Sequence, residues 1–159
     1  MPRILIIGCG NLLAGDDAAG LLAARALKNE GVAGVEIVEA HAGGSALVDI
    51  IDGADAVFIV DAMVTGAPPG TIHRFERDDL PAIFSTTASS HDFGVAEALA
   101  LYRALWRHRT VPRLAVFGIE LESVEFGRPL SDAVVQALPG LVAMLREEVV
   151  ALARGDTEM

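Results

Sequence analysis

Three polar residues stand where this chain could do chemistry. Asp17 sits in the loop after the first apolar run, Asp61 follows Val57-Phe58-Ile59-Val60, and His91 lies in Ser89-Ser90-His91-Asp92-Phe93-Gly94. Two carboxylates and one imidazole from three separate segments suit a borderline divalent metal with open coordination positions. A carboxylate at the end of a buried strand is costly unless paired, hydrogen-bonded or metal-bound, which favours a role for Asp61 over a plain turn residue. A histidine in a loop is most often simply solvated, so His91 gains weight only beside the two acids.

The first loop reads Gly8-Cys9-Gly10-Asn11-Leu12-Leu13-Ala14-Gly15-Asp16-Asp17-Ala18-Ala19-Gly20. Two early glycines suggest a dinucleotide fingerprint, but Leu13 stands where the third glycine belongs. Asp16 and Asp17 would repel a phosphate at that helix start. Aspartate is also a good helix N-cap, and that role accounts for one of the pair. Adjacent residues at a helix start point about 100° apart, so one acid can cap while the other faces the strand ends. Which does which stays open.

Other candidates are weaker. Glu39 and His41 end the second strand and could line the same cleft, or be solvated. Cys9 could be a soft ligand, a nucleophile or a small buried packing residue. His73 and His108 have no motif around them. Glu120, Glu122 and Glu125 are expected to form a solvated acidic rim. Neither Cys-x-x-Cys, His-Glu-x-x-His nor Gly-x-Ser-x-Gly occurs.

Short β-branched runs alternate with helical stretches. Strands are expected at Arg3 to Ile7, Val35 to Val38, Val57 to Val60 and Leu114 to Ile119, with Thr71 to Phe75 alternating as an edge strand. The Ala/Leu-rich stretch through Leu21 to Leu27 reads as a helix stopped by Gly31, and Ser45 to Ile51 as a short one ended by Gly53. Asp92 can cap a long helix reaching about Arg107. Ser131 can cap another, which Pro139 should interrupt, so that a separate helix runs from Pro139 to about Ala153. Val134, Val135, Leu138, Leu141, Val142, Leu145 and Val149 read as core positions there. This order predicts a three-layer α/β/α sandwich around a mostly parallel twisted sheet, with ligands at the carboxyl ends of the strands.

The 159 residues suit a single domain over 1–159, its last few residues disordered. At 52% hydrophobic and 21% charged, the chain is not a polar disordered one. A lone cysteine excludes an internal disulfide framework and suits a reducing cytosol. The formal charge of −10, from 12 basic and 22 acidic residues, argues against nucleic-acid binding. Mean hydropathy is high at +0.45, yet no apolar run is long enough for a membrane span. The start of the chain is not expected to be a signal peptide.

Taken in order, Gly8-x-Gly10-Asn11-x-Leu13-x-x-Asp16-Asp17-x-x-Gly20, Val60-Asp61-Ala62 with Pro69-Gly70-Thr71, Ser90-His91-x-Phe93-Gly94 and the strand Leu114 to Glu120 resemble the hydrogenase maturation endopeptidases. That family processes the C-terminus of the large subunit of nickel–iron hydrogenases. The resemblance implies that Asp17, Asp61 and His91 recognise nickel already inserted in the precursor, as metal ligands and as the catalytic set. Nickel would then arrive with the precursor, and no permanent metal is expected in a site dominated by carboxylates. A cytoplasmic monomer is the expected state. One departure stands out: the loop Glu39-Ala40-His41-Ala42-Gly43-Gly44 replaces the family's common Asp-Gly-x-Thr, with Glu39 at the aspartate's place and no threonine. Rival readings are a non-catalytic factor that checks nickel insertion, and a small-molecule or nucleotide-binding enzyme on the same sheet.

Overall fold

The computed structural model describes residues 2–40, 49–76 and 113–155. Five strands form one sheet: β1 (Ile4–Cys9), β2 (Glu36–Ala40), β3 (Ala56–Met63), β4 (Ile72–Glu76) and β5 (Arg113–Glu120). Their spatial order is β2-β1-β3-β5-β4. All neighbours run parallel except β4, which lies antiparallel at the edge beside β5. The mostly parallel α/β sheet and the alternating edge strand are those expected from the sequence. The central strands are apolar on both faces because both faces are covered.

One face carries α1 (Ala19–Glu30) and α2 (Asp132–Arg154). Ile4, Ile6, Phe58, Val60, Phe117 and Ile119 point to it and meet Ala19, Ala23 and Leu27 of α1 and Leu141, Leu145 and Val149 of α2. Phe58 and Phe117 meet edge to face at its centre, with ring centroids 6.1 Å apart. The opposite face presents Leu5, Ile7, Val57, Ile59 and Val116, packed with Ile50, Ile51 and Ala54. Of the short helix expected at Ser45 to Ile51, residues 49–51 are helical and 45–48 lie outside the described residues. The expected helix from Asp92 to Arg107 and the last residues, 156–159, lie outside the described residues.

Helix α1 forms from an Ala/Leu run without β-branched residues, and it ends where Gly31 turns left-handed at φ +68°. It lies unusually close to the sheet. A Cβ on Gly8 would sit 2.6 Å from the carbonyl oxygen of Gly20, and one on Gly20 would collide with the carbonyl oxygens of Cys9 and Val60. The glycines of the first loop therefore bring helix and strands into contact. Gly20→Ala should cost roughly 3 kcal/mol, because both obstacles are backbone atoms that cannot swing aside. A melting temperature lowered by about 10 °C checks this, and an unchanged one refutes it.

Helix α2 corrects one expectation. It runs unbroken from Asp132 to Arg154 through Pro139. Pro139 and Gly140 lie on the exposed side of the helix, so the carbonyl freed by the missing N–H meets water and not the core. The buried face, Val134, Leu141, Val142, Leu145, Val149 and Leu152, keeps the two halves in line. Val135 is exposed and leaves the predicted core set. The far end of α2 is tied to the sheet by charge: Arg74 of β4 donates to Glu148 and to Glu76, and Arg113 of β5 lies 3.8 Å from both acids.

Candidate active site

The chain leaves β1 for β2 on one side and reaches β3 on the other, so the sheet reverses its winding between β1 and β3. In open α/β sheets the crevice at such a point, outside the carboxyl ends of the strands, is where ligands bind. Gly8 pairs with Val60, which brings Cys9 and Asp61 abreast one residue later. Here β1 ends, whereas β3 continues to Met63 along β5, with Asp61 opposite Gly118 and Met63 opposite Glu120. Asp61 thus lies within β3 and not after it, since β5 is long enough to keep pairing. The shorter β1 leaves a notch beside it.

The loop after β1 brings the second acid to this notch. Its backbone folds back on itself: Asn11 N–H donates to the carbonyl of Asp17 at 3.2 Å, and Gly10, at φ +143°, packs so closely on that carbonyl that no side chain fits. A 3-10 turn, Gly15–Ala18, then leads into α1. Both aspartates of this turn are buried.

Their roles separate cleanly. The N-cap positions of the turn and of α1 are Ala14 and Ala18, neither of which caps with a side chain. Asp16 is 0% exposed and accepts from four donors on a distant loop. Glu122 N–H and Ser131 N–H reach it at 2.8 and 2.7 Å, Ser123 N–H at 3.2 Å and the Ser131 hydroxyl at 2.8 Å. Ser131 precedes α2 as expected, but its hydroxyl serves Asp16 and not its own helix. Asp16 is therefore structural. Asp17 lies near enough to the notch for its charge to raise the proton affinity of Asp61 and of Cys9.

Burial, and next the negative charge of Asp17, push the Asp61 carboxyl up to about 7, against the Ala62 N–H that donates to its Oδ1 at 2.9 Å. A carboxyl poised near neutrality beside a second acid can take or give a proton, or bind a cation that relieves the repulsion. Cys9 is buried, and burial followed by Asp61 and Asp17 holds its thiol well above the usual range. It is a neutral packing residue and not a thiolate nucleophile.

The remaining predicted positions divide. His91, His41 and His108 lie outside the described residues. Among those residues no three His, Cys, Asp or Glu side chains come together as a metal set. Glu39 does not line the notch: it is inside β2, pairs with Gly8 and accepts from Arg25 of α1 on the other face of the sheet.

Of the expected acidic rim Glu122 and Glu125 are exposed, but Glu120 does not belong to it. It is buried, and its carboxylate accepts from the Thr65 N–H and hydroxyl while His73 lies 3.1 Å away. Burial works against its charge, yet those partners hold its carboxyl below the ordinary value. The cluster fixes the loop after β3 to the ends of β5 and β4. Strand periodicity carries the signal for it, since Glu120 stands two residues beyond Gly118 and four beyond buried Val116 on one face.

A winding reversal with two neighbouring carboxylates beside it is a candidate active site at the carboxyl edge of an α/β sheet. The chain belongs to the hydrogenase maturation protease family, whose model matches residues 19–148. On that membership it is a maturation endopeptidase. The hydrogenase 2 maturation protease of Escherichia coli is 32% identical over 152 residues, 91% of this chain and 92% of the relative. The hydrogenase expression/formation protein HupD of Thiocapsa roseopersicina is 32% identical over 92% of this chain and 67% of its own. The nickel–iron hydrogenase maturation protease HybD of Thermococcus kodakarensis superposes with a TM-score of 0.76 at 26% identity, covering 92% of this chain and 99% of that one. The Escherichia coli endopeptidase HybD gives 0.75 at 29% identity, covering 92% and 93%.

Proposed function

We propose that this endopeptidase removes the C-terminal extension of a nickel–iron hydrogenase large-subunit precursor after nickel insertion. The observation that carries this reading is the pair Asp17 and Asp61, coupled through space at the notch between β1 and β3 of a family fold. Nickel is part of the substrate. Asp17, Asp61 and His91 complete its coordination and so hold the scissile bond over the notch. Positioning of this kind lowers a barrier by several kcal/mol, roughly 7–11 in the best intramolecular cases. Two routes fit this reading: nickel polarises the scissile carbonyl or a bound water, or nickel serves for recognition only and a carboxylate acts as general base, for which the raised proton affinity of metal-free Asp61 is suited. The chain works in the cytoplasm as a monomer on this reading. No described helix is long and apolar enough to cross a membrane.

Intact mass measurement of a nickel-loaded precursor, with and without the protein, tests the proposal. Loss of a short C-terminal peptide only from the nickel-loaded form is the expected result. An unchanged mass in a stable complex would leave a non-catalytic checking factor in its place. Cleavage of metal-free precursor at the same rate would remove the nickel gate.

A further inference from the structure

Leu12, Leu13, Val124 and Phe126 are large apolar side chains left in water. They belong to two loops that the fold ties into one piece. Asp16 clamps the loop after β5, its own N–H donates to the Ser123 carbonyl at 2.8 Å, and Gly127 N–H donates to the Leu13 carbonyl at 2.9 Å. These backbone bonds set residues 12–13 beside 126–127 and residue 16 beside 123. Leu13 is 66% exposed and Phe126 74%. An exposed salt bridge between Glu125 and Arg128, 2.6 Å long, flanks Phe126. Apolar centre, charged margin and an aromatic anchor are the anatomy of a protein interface.

We propose that this two-loop face docks apolar side chains of the protein substrate next to its scissile bond. The inference rests on the processing reading above. Its occupant follows from position: Leu13 precedes Asp17 by four residues on one short, pinned loop. Four residues of chain keep Leu13 within about 15 Å of Asp17, and an extended chain advances about 3.3 Å per residue, so the patch is within reach of side chains about four residues from a bond held over Asp17 and Asp61. Because the loops are fixed by hydrogen bonds, the surface is preformed and little ordering cost attends binding.

Steady-state processing of nickel-loaded large-subunit precursor by Phe126→Ser, Leu13→Ser and the double variant tests this. The side chains are in solvent, so melting temperatures should match wild type. KM should rise roughly tenfold for Phe126→Ser and further for the pair, with kcat within about twofold. Unchanged kcat/KM in all three, while wild type processes normally, would overturn the docking surface and leave the processing function standing. Absence of cleavage by wild type itself would bring down the function first and the docking surface with it. A wild-type dimer that Phe126→Ser dissociates without loss of processing would show that a second copy covers the patch and would also overturn the inference.

Discussion

Asp61→Asn is expected to abolish precursor processing, by roughly a thousandfold or more, while the protein gains stability at alkaline pH. Asparagine keeps the oxygen that accepts from the Ala62 N–H, so local geometry survives. It loses the charge that β3 buries beside Asp17. The sign of the stability effect follows from proton linkage. The folded-state carboxyl sits at about 7 against an ordinary 3.8, so the native state binds the extra proton between those values. Stability from this group is intact below pH 3.8 and declines as pH rises towards 7, after which the full penalty applies. The shift alone would correspond to about 4 kcal/mol, and partial solvent access to Asp61 reduces it to roughly 2. Denaturant midpoints in the presence of a chelator should show the variant more stable at pH 8, the gap closing near pH 4. A variant that processes normally would remove Asp61 from the chemistry. One that is less stable than wild type at pH 8 would remove the electrostatic account.

Asp16→Ala should be the most damaging single change to the fold. It leaves the part-buried N–H groups of Glu122, Ser123 and Ser131 and the Ser131 hydroxyl without their shared acceptor. Unpaired donors cost about 1–3 kcal/mol each when buried and less where water reaches them, so a total of about 4 kcal/mol is expected for the four, from a typical stability of about 5–15. Asp16→Asn should cost less, about 2 kcal/mol, since one oxygen still accepts while the amide nitrogen faces donors. Thermal unfolding ranks the two, and equal melting temperatures would show that the clamp is dispensable. Neighbouring Asp17→Asn, by contrast, leaves the four donors of the Asp16 clamp paired and removes the charge that raises Asp61, so the loss of stability between about pH 4 and 8 should shrink, which separates the roles of two adjacent identical residues.

The strands were legible because a covered parallel sheet needs uninterrupted apolar runs, and Val57 to Val60 or Leu114 to Ile119 can be little else. Helix α1 was legible for the same local reasons, from composition and Gly31. What escaped depends on partners far along the chain. The division of labour between Asp16 and Asp17 is set by donors 106 to 115 residues away, and nothing in the loop announces them. Pro139 misled because its effect depends on which side of the helix meets water. Glu120 misled because an acid at a strand end usually points outward, and only its pairing with Thr65 and His73 reveals the burial. The glycines of the first loop do not match a nucleotide fingerprint, but composition could not say that the backbone they admit is the protein's own.

The clamp at Asp16 also orders events in time. The acid is made early in synthesis, but its acceptor sites stay empty until Glu122, Ser123 and Ser131 have been added and β5 has paired with β3. Contacts of such long sequence separation close late, after the loop entropy between them has been overcome. A nascent chain that ends before residue 131 therefore carries both aspartates but cannot hold them in their working arrangement. The notch is completed only with the last third of the polypeptide, and on the proposed reading an unfinished molecule on the ribosome cannot cut.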